Sequence, residues 1–277
     1  MAYLVQEGSR IFYATQGAGS PTLIFVHGLG CSHRIWDRQI PALAAGRTII
    51  ACDLRGHGES EGCAVDCSIE LLGRDVAELT RSLGKRAGTV LIGHSLGCRV
   101  VLQAYLDAPG SVMGLVLIDG SWTNSADYSR SVQSVEERIQ QFGYAAFVQG
   151  EIAQMFPVNS GEALREEIGA EAAKLPESIG RPLFLNTMEW DARQMEAALG
   201  RVTVPLLILQ STVVMADRTR VTLTSGMSTP WLNLVRRVVG TVQIEIIPGV
   251  GHFAMLEAAD RVNEAMDGFV KSLASDT

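Results

Sequence analysis

Short apolar runs that alternate with helix-period segments constrain the fold of this chain most strongly. Each run ends in a glycine-rich or aspartate-containing loop, and a segment with helical apolar periodicity follows it. This alternation is typical of buried strands in a mostly parallel sheet that helices cover. The predicted buried strands are residues 21–26, 48–52, 89–92, 112–118 and 205–209.

Three further strands complete a predicted eight-stranded sheet. Residues 3–6 and 10–15 alternate in polarity around Glu7-Gly8-Ser9, which predicts an antiparallel hairpin at one edge. Residues 242–247 form the last strand. The fold class is therefore α/β, and the helices predicted to cover the sheet are residues 33–43, 68–83, 96–106, 231–239 and 253–272.

The alternation stops between residues 122 and 201, where helical periodicity dominates and no buried-strand run occurs. An all-helical insertion between strands of such a sheet is typical of a lid or cap. The helices predicted there are residues 132–142, 145–156, 162–175 and 183–199.

Composition and charge restrict the partners of the protein. The 277 residues are 47% apolar and 19% charged, with a formal net charge of −7 and no Lys/Arg block longer than a pair such as Arg236-Arg237. These values argue against a nucleic-acid partner and against an anionic membrane surface. A small-molecule substrate is the expected partner, and the sequence leaves homo-oligomer formation open.

The N-terminal residues and the cysteines predict a cytoplasmic protein. No basic segment followed by a long apolar stretch opens the chain, and no run approaches the length of a membrane span. The five cysteines are odd in number and confined to the first hundred residues, unlike a disulfide framework. Cys63 and Cys67 lack a second Cys/His pair, so we expect reduced thiols, no metal and no cofactor.

The segment Gly93-His94-Ser95-Leu96-Gly97 joins an apolar run to a helix-like run. A serine between two glycines at a strand-to-helix junction can adopt a sharp turn that exposes its hydroxyl. Ser95 is therefore a candidate nucleophile.

Together with two other motifs, this segment carries a resemblance to a known family. His27-Gly28-Leu29-Gly30 follows the third strand, and Gly249-Val250-Gly251-His252-Phe253 follows the last. With these motifs in this order, the sequence resembles the α/β-hydrolases with a helical cap over essentially its whole length. The resemblance implies a core domain of residues 1–121 and 202–277, with a cap of residues 122–201 inserted after the sixth strand.

The resemblance also implies a role for each motif. Ser95 attacks a carbonyl carbon, and His252 removes its proton, because an imidazole exchanges protons near neutral pH. The backbone N–H groups of Leu29 and Leu96 hold the oxyanion. The other four histidines have other expected roles. His27 belongs to the oxyanion loop, and His94 points away from the serine. His57 belongs to a structural turn at residues 53–60, and His33 caps or packs the first helix.

The acid that would orient His252 departs from the commonest family pattern, because Val214 occupies its usual position after the strand at residues 205–209. Asp119, at the end of residues 112–118, and Asp217 are the substitutes. We favour Asp119, since some members of the fold place the acid after the sixth strand. Arg218 and Arg220 beside Asp217 suggest a solvated surface ion pair.

The predicted cap is rich in aromatic residues and methionines, some of which we expect to line a cleft above Ser95 and to favour an apolar or aromatic group. No Arg or Lys cluster marks an anion pocket in the cap, and Arg55 and Arg99 are interpreted as structural ion-pair partners. We therefore expect this protein to be a serine esterase whose substrate is a neutral ester or a related thioester, lactone or amide.

Two other functions stay open at this stage. Relatives on the same scaffold cleave carbon–carbon bonds or perform cofactor-free oxygen chemistry, with the histidine–acid pair as base. A ligand receptor with vestigial hydrolysis is the alternative that is not an enzyme. A haloalkane dehalogenase or epoxide hydrolase is disfavoured, because those relatives carry an aspartate where Ser95 stands.

Overall fold

A computed structural model describes residues 1–62, 67–83, 88–157, 160–215 and 218–275. The strands within these ranges are β1 (Ala2–Gln6), β2 (Ser9–Gln16), β3 (Thr22–Val26), β4 (Thr48–Cys52), β5 (Thr89–His94), β6 (Val112–Ile118), β7 (Leu206–Gln210), β8 (Thr212–Val214), β9 (Arg220–Thr222) and β10 (Val242–Ile246).

Eight of these strands form one sheet, in the order β1-β2-β4-β3-β5-β6-β7-β10. Strand β2 pairs antiparallel with β1 and with β4, and all other neighbours are parallel. The predicted eight-stranded, mostly parallel sheet is therefore confirmed. Strands β8 and β9 form a separate antiparallel ribbon that the sequence analysis did not predict.

Helices flank the sheet, and the described residues also form 3-10 turns at His33–Trp36 and Pro109–Ser111. The α-helices of the described residues are α1 (Ile40–Leu43), α2 (Ile69–Leu83), α3 (Leu96–Asp107), α4 (Tyr128–Phe142), α5 (Tyr144–Gln154), α6 (Glu162–Ala172), α7 (Glu177–Arg193), α8 (Met195–Gly200), α9 (Pro230–Val238), α10 (Ala254–Glu257) and α11 (Ala259–Ser275).

The sheet buries both of its faces, because successive side chains of a strand point to opposite sides. In β5, Leu91 belongs to one apolar cluster, with residues of α2, α3 and α9. Its neighbours Val90 and Ile92 belong to a second cluster, with residues of α11 such as Phe269. This double covering explains why the central strands are continuous apolar runs rather than alternating ones.

Three predicted helices are interrupted in the structure. The segment 33–43 is a 3-10 turn followed by α1, because Pro41 has no N–H to continue a helix from the preceding turn. The segment 183–199 is divided between α7 and α8 at Gln194. The segment 253–272 is divided between α10 and α11 at Ala258, whose backbone is not helical.

The elements between β6 and β7 are the helices α4 to α8. Part of this segment packs around a small apolar cluster of its own, which includes Val135, Ile139, Phe147 and Met188. Across the described ranges, no helix combines the length and apolarity that crossing a membrane requires.

Candidate active site

Ser95 lies in a sharp turn between β5 and α3. Its backbone adopts φ 56° and ψ −115°, a conformation that residues other than glycine rarely adopt. A Cβ atom on Gly93 would lie 2.3 Å from the carbonyl oxygen of Gly97, and one on Gly97 would lie 2.4 Å from that of Val26. The close packing of Gly93 against the first turn of α3, and of Gly97 against the end of β3, therefore requires glycine at both flanking positions.

Leu29 and Leu96 line the cavity that contains Ser95. Leu29 belongs to the loop after β3, and Leu96 is the first residue of α3. Within the described ranges, neither N–H donates a hydrogen bond to a protein acceptor. Unpaired N–H groups, one of them at a helix N-terminus, are suited to binding a developing oxyanion.

His27 holds the loop that carries Leu29. Its Nδ1–H donates to the carbonyl oxygen of Gly28 at 2.7 Å, and its Nε2 accepts from the N–H of Leu54 at 2.9 Å. Burial lowers the pKa of His27, so the ring is neutral and this tautomer satisfies both nitrogens. The side chain therefore acts as a structural brace for the loop.

His252 is positioned by its backbone as well as by its ring. Its N–H donates to the carbonyl oxygen of Met155, which follows α5, at 2.7 Å. The Nε2–H of His94 donates to the carbonyl oxygen of His252 at 3.0 Å, and burial holds the pKa of His94 well below its ordinary value. The ring of His94, the residue before Ser95, thus supports the loop that carries His252.

Asp119 contacts the His252 ring from the end of β6. The Nδ1–H of His252 donates to Oδ2 of Asp119 at 2.5 Å, and both side chains are almost completely buried. Asp217 lies outside the described residues. Of the two acids weighed from the sequence, the structure therefore describes Asp119, and it lies against the imidazole.

The loop after β7 surrounds the Asp119 carboxylate with donors. Oδ1 accepts from the backbone N–H of Ser211 at 2.9 Å, from that of Thr212 at 2.7 Å and from the side-chain amide of Gln210 at 3.0 Å. The hydroxyl of Thr212 donates to Oδ2 at 2.5 Å. In the commoner family pattern, the loop after β7 would carry the acid itself. Here this loop instead donates hydrogen bonds to Asp119, which follows the adjacent strand β6.

Arg220, in the β8–β9 ribbon, completes this arrangement. Its Nη1 lies 3.2 Å from Oδ2 of Asp119 and donates to the hydroxyl of Thr212 at 2.7 Å. The sequence-based interpretation of Arg220 as part of a solvated surface ion pair is therefore wrong. The ribbon turns its side chain inward, and short three-residue strands leave no clear periodicity from which this could be read.

The electrostatics of the pair favour an ionised acid and a neutral base. Burial alone would raise the pKa of Asp119, but the hydrogen bonds and charges of His252 and Arg220 outweigh it and lower the pKa to about 2. Burial is the main cause that lowers the pKa of His252, and the Arg220 guanidinium adds to it, while Asp119 opposes both. At neutral pH the imidazole can therefore accept a proton.

A cavity of about 400 Å³ opens between the sheet edge and the helices α4 to α7. Ser95, His252, Leu29 and Leu96 line its floor. The aromatic residues and methionines of the segment between β6 and β7 that line the cavity include Tyr144, Phe147, Met155, Phe184 and Met188. Other large apolar residues of the segment lie elsewhere: Trp190 and Leu183 are buried in the main core, Phe156 stacks on Phe253, and Phe142 is exposed.

Arg99 and Arg55 form the buried ion pairs that their sequence positions suggested. Arg99 donates to both carboxylate oxygens of Asp191, at 2.8 and 2.7 Å, and thereby joins α3 to α7. Arg55 forms the same two-point contact with Asp75, at 3.0 and 2.8 Å. Both arginines thus serve the packing of helices.

The described part of the chain shows no group of three or more metal-ligating side chains. Four of the five cysteines, Cys31, Cys52, Cys67 and Cys98, lie there as buried free thiols, and Cys63 falls outside the described residues. Burial raises the pKa of Cys31 and of Cys98 to about 12, which leaves both thiols protonated and unreactive at neutral pH.

The sequence is similar to those of proteins named for different activities. The chain is 26% identical to the protein named carbamate hydrolase RutD of Klebsiella pneumoniae over 263 residues, which cover 92% of this chain and 93% of that protein. A match at 32% identity to the dihydrolipoyllysine-residue acetyltransferase component of the acetoin cleaving system of Cupriavidus necator covers 48% of this chain and only 36% of that protein.

Solved structures share the whole fold at low sequence identity. The esterase EaEST from Exiguobacterium antarcticum superposes with a TM-score of 0.80 at 17% identity, covering 98% of this chain and 99% of that one. Est816, described as an N-acyl homoserine lactone degrading enzyme, gives a TM-score of 0.77 at 22% identity over 96% of this chain and 99% of that one. The model of the alpha/beta hydrolase family matches residues 23–265. With this match and this fold, the chain belongs to the alpha/beta hydrolase family.

Proposed function

We propose that this protein is a serine hydrolase that cleaves a carboxylic ester, or a related lactone, thioester or amide, through an acyl-enzyme on Ser95. The observation that carries the proposal is the buried His252–Asp119 pair, whose imidazole lines one cavity together with Ser95, Leu29 and Leu96. The backbone N–H groups of these two leucines donate to no acceptor among the described residues. These are the groups that acyl transfer to a serine requires.

In the proposed acylation step, Oγ of Ser95 forms a bond to the substrate carbonyl carbon as its proton passes to Nε2 of His252. The carbonyl oxygen becomes an oxyanion that the N–H groups of Leu29 and Leu96 stabilise. Asp119 keeps the proton of His252 on Nδ1 and stabilises the imidazolium, without itself taking up a proton. The tetrahedral intermediate then expels the alcohol, which leaves with the proton from Nε2.

Deacylation repeats these steps with water. His252 removes a proton from the water, the hydroxide oxygen bonds to the acyl carbon, and the carbon–Oγ bond breaks. The proton returns from His252 to Ser95, and the free acid is released. No metal or cofactor enters this scheme.

We further propose that residues 122–201 act as a cap over this site, with residues 1–121 and 202–277 as the core. In support, α5 and α7 contribute apolar side chains to the cavity, and the carbonyl of Met155 binds the backbone of His252. A cap that touches the catalytic loop can shield the oxyanion from bulk water, which strengthens its hydrogen bonds to the N–H groups of Leu29 and Leu96. The names esterase, lactone degrading enzyme and carbamate hydrolase among the relatives are consistent with a carbonyl bonded to oxygen or nitrogen.

Kinetics on short p-nitrophenyl esters test the proposed function. The wild-type protein should release p-nitrophenol with an initial burst whose amplitude approaches one equivalent of enzyme, and Ser95→Ala should abolish both burst and turnover. Ser111→Ala is the matched control, because Ser111 lies in the 3-10 turn before β6, away from the cavity lining. Retention of turnover in Ser95→Ala would exclude the acyl-enzyme and favour chemistry in which the histidine–acid pair acts alone.

A further inference from the structure

The charged side chains that line the cavity are not balanced. Its carboxylates each have an arginine partner: Asp191 binds Arg99, Asp127 binds Arg130 at 2.6 Å, and Glu151 binds Arg138 at 2.6 Å. Beneath the cavity, Asp119 binds Arg220.

One cavity-lining arginine is left over from this pairing. Arg218 has no carboxylate within ion-pair distance among the described residues. The cavity therefore carries one positive charge that no described side chain neutralises.

Arg218 is held in the cavity wall rather than free in solvent. Its guanidinium carbon lies 5.6 Å from the centre of the Phe184 ring, and its Nε is buried without a hydrogen-bond partner. Its backbone has φ 69°, and its N–H donates to the carbonyl of Met215 at 2.9 Å. A left-handed conformation at a non-glycine residue costs free energy, so the surrounding structure imposes the direction of this side chain.

The surroundings of Arg218 disfavour a charge without a counter-ion. Burial lowers the pKa of Arg218, although a guanidinium stays protonated at any physiological pH. The two carboxylates whose charges raise its pKa, Glu151 and Asp191, already have arginine partners of their own. A buried donor without an acceptor and a cation without a counter-ion both cost free energy in a folded protein. Such groups are expected in a binding site where the ligand supplies the acceptor and the counter-ion.

We propose that Arg218 binds a carboxylate of the substrate, so that the ester or lactone cleaved at Ser95 carries one anionic group remote from the scissile carbonyl. The proposal rests on the proposed serine hydrolase function and changes the expected substrate from a neutral molecule to a monoanion. A single unpaired arginine matches one carboxylate by two parallel hydrogen bonds. The apolar side chains of Phe184, Phe147 and Met188 then contact the stem that joins this group to the carbonyl.

The test compares charged and neutral esters of equal length. Mono-p-nitrophenyl esters of succinate, glutarate, adipate and pimelate are paired with the p-nitrophenyl alkanoates of the same chain length. A second arm places the carboxylate on the leaving group, as 3- or 4-acyloxybenzoates against the corresponding acyloxytoluenes. In at least one of the two arms, and at one chain length or more, we expect kcat/KM for the anionic ester to exceed that for its neutral partner by about ten-fold or more.

Variants of Arg218 test whether this residue causes the preference for anionic esters. Arg218→Gln should reduce the ratio of anionic to neutral kcat/KM by about ten-fold or more, and Arg218→Lys should restore part of it. Arg193→Gln is the matched control for the loss of one positive charge, since Arg193 is an exposed residue of α7 outside the cavity lining and should leave the ratio unchanged. Equal turnover of anion and neutral partner in both arms, or a ratio that survives Arg218→Gln, would overturn the proposal.

Binding to the Ser95→Ala protein separates this proposal from the proposed reaction. Titration calorimetry with monomethyl glutarate and with methyl valerate, the neutral control, measures recognition without chemistry. Tighter binding of the hemiester that Arg218→Gln abolishes supports the carboxylate site even if no ester is hydrolysed. Hydrolysis of neutral esters together with equal binding of both compounds would contradict the carboxylate site and leave the hydrolase proposal standing.

Discussion

At the scale of single residues, the site is organised around the Asp119 carboxylate. This acid binds the His252 ring while five hydrogen bonds from Gln210, Ser211, Thr212 and Arg220 fix both of its oxygens. A carboxylate with so many donors stays ionised and keeps one orientation. The direction of the imidazole is therefore set by a network rather than by a single contact.

Replacing Asp119 tests its role in catalysis. Asp119→Asn should lower kcat for ester hydrolysis by about a hundred-fold or more, because the amide no longer stabilises the imidazolium or fixes its tautomer. Asp217→Asn, the other acid considered from the sequence, should leave kcat within about two-fold. Steady-state kinetics with circular dichroism on both variants gives the comparison, and the reverse order of effects would make Asp217 the acid.

Removing the charge of Arg220 should shift the pH profile. The Arg220 cation lowers the pKa of both His252 and Asp119, and the proposed hydrolysis needs the neutral imidazole and the ionised carboxylate. In Arg220→Gln both pKa values rise, so the acidic limb of kcat/KM moves to higher pH. Arg236→Gln, an exposed arginine of α9, provides the control profile, and an acidic limb that stays in place or moves to lower pH would exclude this role for Arg220.

At the scale of secondary structure elements, the junction between α3 and α7 connects the turn at Ser95 to the helices over the cavity. Arg99 donates to the carbonyl oxygens of Ser95 and Ser121 at 3.0 and 2.7 Å while its ion pair with Asp191 holds α7. The backbone N–H of Thr123 also donates to Asp191 at 3.0 Å. One buried pair therefore couples the position of α7 to that of the serine turn.

Breaking this pair should destabilise the protein. Asp191→Asn leaves the buried Arg99 guanidinium without its counter-ion and should lower the free energy of unfolding by about 3–5 kcal/mol. Urea denaturation measures the loss. The control Glu189→Gln removes the acid of an exposed pair on the same helix and should change the free energy of unfolding by less than about 1 kcal/mol. Equal effects of the two substitutions would show that the buried pair has no special role.

The elements also show how much a sequence can predict. Central strands such as β5 were predictable because burial on both faces leaves continuous apolar runs. The turns that carry Ser95 and His252 were predictable because adjacent glycines mark them. The β8–β9 ribbon was not predicted, since its three-residue strands carry no periodicity. The inward side chain of Arg220 depends on this ribbon, and Arg218, which has no carboxylate partner among the described residues, lies just before β9. Neither feature was available from the sequence.

At the scale of the whole molecule, buried neutral histidines make the fold sensitive to acid. His27, His57, His94 and His252 are buried, and burial lowers the pKa of each, for His57 to about 3. Unfolding returns these rings to water, where their ordinary pKa is 6.5. The unfolded chain therefore binds more protons than the native protein as the pH falls below that value.

The stability of the protein should accordingly fall between pH 6.5 and pH 4. At pH 5, the His57 shift alone corresponds to about 2 kcal/mol of lost stability relative to neutral pH. Urea denaturation from pH 8 to pH 4 should show this loss, and His57→Asn should give a shallower dependence on pH whatever its absolute stability. A free energy of unfolding that is flat across this range would contradict the assignment of neutral buried rings.

The most direct test of the central claim is the site at which a serine-reactive phosphonate binds covalently. We expect an alkyl fluorophosphonate to add one adduct per chain, and peptide mass spectrometry to locate it on Ser95. Labelling should be lost in Ser95→Ala and slowed by about a hundred-fold or more in His252→Asn, which lacks the base. An intact wild-type protein after prolonged exposure, or an adduct on any other residue, would contradict Ser95 as the nucleophile.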